Sequence, residues 1–146
     1  MKPIVHAIAG TTAMLTIFTF WTSTFVSELF MDQAAVIAVK HAIAVYGLAT
    51  LVFLMAATGG SGYRLSIGRT GRLVERKKKR MAVIAANGLL VMIPSALFLN
   101  HKAAAVEFDA YFYSVQLLEL TAGLVQLALM GMNLRDGLKL AGLRAK

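Results

Sequence analysis

Cysteine is absent from the 146-residue sequence, and this absence excludes several kinds of site at once. Without a thiol, the chain can form no disulfide, no thiolate-ligated zinc or iron–sulfur site, no c-type haem attachment and no cysteine nucleophile. Charged residues are also scarce, at 15% of the chain, where soluble domains have about a quarter. Apolar residues reach 58% and the mean hydropathy is +0.70. A protein with so little polar surface is predicted to lie in a membrane.

The signature motifs of soluble enzymes are missing as well. The sequence contains no Walker, HExxH or GxSxG motif. Residues 59–62 are rich in glycine, but they lack the Lys-Ser/Thr pair of a phosphate-binding loop, and no strand is predicted before them. We therefore interpret residues 59–62 as the end of a helix followed by a flexible turn.

Four long apolar stretches dominate the chain instead. They cover roughly residues 4–26, 34–57, 81–99 and 110–132, and each is close to the ~20 residues that a membrane-spanning helix needs. We predict one transmembrane domain over residues 1–146, an all-α four-helix bundle that runs up-down-up-down, with a basic connection over residues 58–80. Pro94 predicts a bend near the outer end of the third helix.

The basic residues are divided unevenly between the two sides of this topology. Of fifteen, eight lie in the connection 58–80, four in the C-terminal tail and one at Lys2, all on one side. The opposite connections hold one basic residue, Lys102, and four acidic ones: Glu28, Asp32, Glu107 and Asp109. The positive-inside rule then places both termini in the cytoplasm, in a bacterial inner membrane. This distribution favours contact with anionic lipid and argues against nucleic acid as a partner.

Ionisable side chains inside the apolar stretches are the functional candidates, because a bilayer makes each of them costly. The second stretch carries Lys40 and His41 at a depth of ~10 Å from its outer end, at ~1.5 Å per residue. The fourth stretch carries Gln116 and Glu119 at similar depth. The third ends near His101, and we expect its helix to continue past that residue. Polar groups from several helices are thus predicted to meet in the outer half.

Two histidines at one membrane level suit haem b, whose iron takes two axial imidazoles from separate helices. We predict His41 and His101 as these ligands. Ala44 lies one turn from His41, where a small side chain leaves room for the porphyrin. Lys40 and Lys102 adjoin the two histidines and would supply cations for the haem propionates.

Other interpretations of these residues remain open. Lys40 and Glu119 are also placed to form an ion pair between helices two and four, which suits a structural contact or a proton path. His41 could instead be a core histidine that forms a hydrogen bond with Glu119 or Gln116. His6, near the cytoplasmic end of helix one, is a less favoured haem ligand or an interfacial histidine.

The arrangement resembles small bacterial four-helix b-type cytochromes that exchange electrons with ubiquinone. The resemblance rests on His6 in the segment 5–10 and on His41 in the segment 40–44. It implies a haem b protein that transfers electrons to or from quinone at the periplasmic side, as a quinone-linked oxidoreductase. Where that family carries partner histidines on its fourth helix, this sequence has other polar residues: Tyr113, Gln116 and Glu119.

Two further functions fit the same pattern. The chain could be a non-catalytic accessory subunit whose helices pack in a larger membrane complex, or a small transporter or channel that uses Lys40 and Glu119. The expected partners are the lipid bilayer, quinone, and either a second copy of the chain or a larger complex.

The predicted topology has a direct test. Because thirteen of fifteen basic residues fall on one side, a reporter inserted at Thr70 and one fused at Lys146 should both report the cytoplasm. The measurement is paired alkaline phosphatase and fluorescent-protein fusions at each position. A periplasmic signal from either position would overturn the four-span topology.

Overall fold

Four long helices make up nearly all of the protein in a computed structural model that describes residues 3–142. They are α1 (Pro3–Phe30), α2 (Gln33–Ser66), α3 (Arg72–Ala104) and α4 (Ala110–Gly142). No β-strand occurs within this range. All four helices are long and apolar enough to cross a membrane, so the all-α fold class is confirmed. We call the end with connections 31–32 and 105–109 the outer end, and the opposite end the inner end.

The helices are longer than the apolar stretches predict, mainly at the inner end. The connection between α2 and α3 covers only residues 67–71, whereas the sequence predicts residues 58–80. Most of the basic residues predicted for this connection lie in the first turns of α3. A helix satisfies its own backbone hydrogen bonds, so charged residues beyond the apolar stretch extend it at little cost. At the outer end, α3 continues past His101 to Ala104, as the sequence predicts.

The glycine-rich residues 59–62 do not end α2, so the predicted turn there is wrong. The helix passes through them and ends at Ser66. Gly62 explains why glycine is used: a Cβ at this position would lie 3.0 Å from both the His6 ring and the Met81 side chain. The missing side chain therefore lets α1 and α3 approach α2 closely. The chain turns instead at Gly68 and Gly71, whose φ angles of 71° and 132° favour glycine.

Aspartates cap two of the helices at the outer end. Asp32 accepts a hydrogen bond from the backbone N–H of Ala35 at the start of α2, and Asp109 does the same for Phe112 in α4, both at 2.9 Å. Lys102 donates a hydrogen bond to Asp109, and this bond, with the backbone bond from Phe112, holds the pKa of Asp109 below its usual value. The outer connection is thus fixed by charge as well as by capping.

Two π-helical segments interrupt the long helices, at Ile43–Gly47 in α2 and Gly88–Met92 in α3. The second directly precedes Pro94, whose ring removes one backbone donor and crowds the preceding turn, and a widened turn accommodates both effects. The bend at Pro94 stays a prediction. The first segment ends at Gly47, where a Cβ would overlap the ring of Phe20 in α1.

The helices enclose two apolar clusters. α1 packs against α2 and α4, α3 packs against α4, and α2 meets α3 mainly between Gln33–Ala42 and Ile93–Ala104. The outer cluster is formed by Val36, Leu99, Ala103 and Phe112. The inner cluster is formed by Ala13, Ile17, Leu51, Ile84 and Met130.

The outward surface is apolar too. Large side chains such as Phe18, Phe53, Leu90 and Leu117 are exposed on four different helices. A soluble protein rarely leaves so many large apolar groups in water. The exterior is therefore suited to contact with lipid, and several polar and charged side chains are buried between the helices.

Candidate functional site

A lysine and a glutamate form an ion pair in the outer half of the interior. Lys40 is 2% exposed, and its Nζ lies 2.9 Å from Oε2 of Glu119, whose side chain is 14% exposed. Lys40 faces inwards because it follows buried Val36 by one helical turn and precedes buried Ile43 by three residues. The sequence prediction that Lys40 and Glu119 pair between α2 and α4 is confirmed.

Two further polar side chains complete this outer cluster, which we define as Glu28, Lys40, Gln116 and Glu119. Gln116 lies one turn before Glu119 on α4 and donates a hydrogen bond from Nε2 to Oε2 of Glu119 at 3.2 Å. Glu28, from α1, lies within the electrostatic reach of Lys40 and Glu119. Glu28 Oε1 and Gln116 Oε1 are both buried without a hydrogen-bond partner.

Polar residues continue inwards along one face of α4. Gln126 is almost fully buried, donates to the carbonyl of Ile84 at 3.1 Å, and accepts from Nδ2 of Asn87 at 2.9 Å. Asn87 also donates to the carbonyl of Ala122. These bonds tie α3 to α4 at mid-height, where unpaired amides would be costly.

The inner end of this face holds a second ion pair. Arg80 donates from Nη2 to Oδ2 of Asp136 at 2.7 Å and from Nη1 to Oδ1 of Asn133 at 3.0 Å. The Asp136 side chain is 2% exposed. Such a buried, charge-assisted contact is stronger than the exposed pair of Lys78 with Glu75. The inward face of α4 is therefore polar at its outer, middle and inner levels.

A cleft of about 760 Å³ is lined by one polar residue from each level: Glu119, Gln126 and Asn133. All four helices line it, mostly with apolar side chains, and Glu119 lies at its outer part and His6 at its inner part. Trp21 also lines the cleft and donates from Nε1 to the carbonyl of Leu120 at 2.9 Å. Gly123 leaves space for the Trp21 ring, since a Cβ there would lie 2.8 Å from Cδ1.

His6 is held in one orientation at the inner part of the cleft. Its Nδ1 lies 3.1 Å from both the carbonyl of Thr58 and the hydroxyl of Ser61. A carbonyl can only accept, so Nδ1 carries a proton, and in the neutral form of the ring Nε2 would hold the lone pair. Metal-binding histidines are commonly oriented by such a bond from the other ring nitrogen. Met81 lies beside the same glycine, since a Cβ at Gly62 would come within 3.0 Å of both its side chain and the His6 ring.

The structure places the remaining predicted haem residues apart from this interior. His41 and His101 are both exposed on their helices, whereas their neighbours Lys40 and Ala103 are buried. Lys102 pairs with Glu107 and Asp109 in the outer connection, at 2.7 and 2.8 Å.

Ala44, the predicted porphyrin contact, lies half-buried in the first π-helical segment. The residues that the sequence predicts for a porphyrin between α2 and α3 thus do not line the cleft. Of the predicted site residues, the structure brings together Lys40, Gln116 and Glu119.

Several interior residues were missed by sequence reasoning. Gln126, Asn133 and Asp136 lie seven or three residues apart along α4, and they continue the spacing of Gln116 and Glu119 through Gly123. This heptad-like repeat of polar and small residues was the signal that could have identified them. Glu28 was counted only as an acidic residue of the outer connection, although it lies within α1.

The chain was compared with protein-family models, with curated protein sequences and with solved structures, and it matches none of them.

The ion pair has a thermodynamic test. Removing one partner of a buried pair costs about 3–5 kcal/mol because the other charge is left uncompensated. Lys40→Met should therefore destabilise the protein more than Lys40→Met combined with Glu119→Gln, as measured by unfolding in mixed detergent micelles. Lys78→Met, which removes an exposed pair, should cost about 1 kcal/mol or less. A double variant no more stable than Lys40→Met would show that the two side chains do not neutralise each other.

Proposed function

We propose that the protein is a small transporter or channel of the bacterial inner membrane that moves charge through its interior, with Lys40 and Glu119 at the outer end of the path. The observation that carries the proposal is the ion pair of 2.9 Å between these residues, inside a protein whose exterior is apolar. Ionisable groups inside a membrane domain commonly mark ion and proton pathways, and a buried ion pair is by itself weak evidence for a role in stability.

The polar face of α4 supports this proposal. A charge that crosses an apolar domain needs polar groups at successive depths, since each unsolvated step is costly. Such groups occur at Glu119, Gln126 and Asp136, from the outer to the inner part of one helix. The cleft runs alongside, and Glu119 and Gln126 line it.

The proposal includes the orientation of the protein in the membrane. Four spans in an up-down-up-down bundle, with both termini cytoplasmic, place the outer cluster towards the periplasm and the Arg80–Asp136 pair towards the cytoplasm. The polar face of α4 would then reach from one aqueous side to the other.

Charge movement can be measured without knowing the transported ion. Purified protein is reconstituted in liposomes, a valinomycin-induced potassium diffusion potential is imposed, and its decay is followed with a potential-sensitive dye. The potential should decay several-fold faster with the native protein than in protein-free vesicles. Lys40→Met and Glu119→Gln should each abolish the difference, while Glu107→Gln, an exposed outer glutamate, should retain it. Decay at the protein-free rate with the native chain would contradict the proposal.

A second candidate retains the redox function that the sequence favours, with haem b exchanging electrons with a quinone such as ubiquinone. Its supporting observation is His6, the one histidine lining the cleft among the described residues, with Nε2 available and Met81 nearby. These residues fit axial ligation, and the cleft is apolar enough for a porphyrin or a quinone ring. Bound haem would supply one-electron transfer. A haem between His41 and His101 would instead lie on the outward surface, against lipid or a second subunit.

The visible spectrum decides between these ligand sets. The redox candidate predicts reduced α and β bands that His6→Ala removes, because the imidazole of His6 is the ligand in the cleft. His41→Ala and His101→Ala should leave the bands intact. Loss of the bands in either outer variant, with His6→Ala unaffected, would move the haem to the outward surface. Colourless protein from haem-replete cells would eliminate the redox candidate.

A further inference from the structure

The outer cluster contains three ionisable side chains from three helices. Glu28 comes from α1, Lys40 from α2 and Glu119 from α4. The outer part of α3 contributes buried residues that do not titrate: Ser95, Ala96, Leu99 and Ala103. Asp32, just beyond α1, is exposed, and its side chain caps the N-terminus of α2. The charge of the cluster is therefore determined by two carboxyl groups and one ammonium group.

This composition leaves one carboxyl group in excess. The ammonium of Lys40 is paired with Glu119, and the amide of Gln116 donates to the same carboxylate oxygen. If Glu28 were ionised as well, one negative charge would remain uncompensated beside an apolar interior. Burying such a charge is costly, and a carboxyl group in that position takes up a proton instead.

The cluster also has an excess of hydrogen-bond acceptors over donors. Glu28 Oε1 and Gln116 Oε1 are both buried acceptors without a donor. Gln116 is 4% exposed, and its amide is directed into the cluster by the bond from Nε2 to Glu119. The cluster has more acceptors than donors, and a single proton on a carboxyl group would reduce the shortage.

We propose that Glu28 is a proton-binding site, which binds a proton on Oε1 and exchanges it with the outer aqueous side. On release, the O–H bond of the carboxylic acid breaks, water takes the proton as hydronium, and Glu28 becomes a carboxylate beside Lys40 and Glu119. The partly exposed Glu28 side chain gives the proton access to the outer side. This inference rests on the proposed function and identifies the transported charge as H⁺.

Trp21, the single tryptophan of the chain, reports on this site. It lies seven residues before Glu28 on the same face of α1, and its Nε1 bonds to the carbonyl of Leu120, next to Glu119. A change of charge at Glu28 therefore alters the electric field at the indole ring. The fluorescence of Trp21 can be titrated in detergent solution, where no transport takes place.

The experiment is a pH titration of Trp21 fluorescence in the full-length protein. We expect one reversible transition that follows a single proton, is lost in Glu28→Gln, and is unchanged in Glu107→Gln. Glu28→Asp, which keeps the carboxyl group, should retain the transition. This second variant keeps the test decisive if Glu28→Gln folds poorly.

Two results would overturn the inference. One is a native fluorescence that does not change with pH, or a transition that persists unchanged in folded Glu28→Gln. The other is a signal that responds to sodium at constant pH, which would make the site a metal-cation site. Since titration in detergent is independent of flux, an intact transition with no charge movement in liposomes would refute the proposed function alone. Charge movement without the transition would refute only the proton site.

Discussion

A lysine buried in an apolar interior cannot remain charged without a carboxylate, and this constraint organises the outer half of the protein. Lys40 and Glu119 must meet, so α2 and α4 must present these residues at the same depth and on facing sides. Gln116 bonds to the pair, and Glu28, whose Oε1 is buried without a hydrogen-bond partner, adds one more carboxyl group to the cluster. Phe112 packs against Val36 and Leu99 in the outer apolar cluster, close to the pair.

The other polar side chains of the interior are also paired with one another. Gln126 and Asn87 satisfy each other at mid-height, and Arg80 satisfies Asn133 and Asp136 at the inner end. Three separate polar levels would be an expensive way to hold helices together, because apolar residues of similar volume would do so at least as well. Their succession along one cleft is the observation on which the proposed passage of charge rests.

Sequence alone was sufficient for the number of helices, the all-α fold class and the pairing of Lys40 with Glu119, since these depend on apolar length and on the cost of an unpaired charge. The continuation of α2 through residues 59–62 was not predictable, because glycine either ends a helix or permits close packing, depending on its neighbours, here His6 and Met81. The outward orientation of the His41 side chain was also not predictable from the depth of this residue in the membrane. Adjacent residues on a helix point about 100° apart, so burying Lys40 left His41 on the surface.

The account depends most directly on the proximity of Lys40 and Glu119 in the membrane. Solid-state NMR of protein labelled with ¹⁵N-lysine and ¹³C-glutamate, reconstituted in lipid, measures the dipolar coupling between Nζ and the carboxyl carbon. Subtracting the spectrum of Lys40→Met isolates this pair from the exposed pairs of Lys78 and Lys102. The account predicts a strong coupling, as expected for an Nζ–Oε2 distance of 2.9 Å. A difference spectrum without coupling would contradict it, because Lys40 would then lie away from Glu119 and the interior would have no ion pair at its outer end.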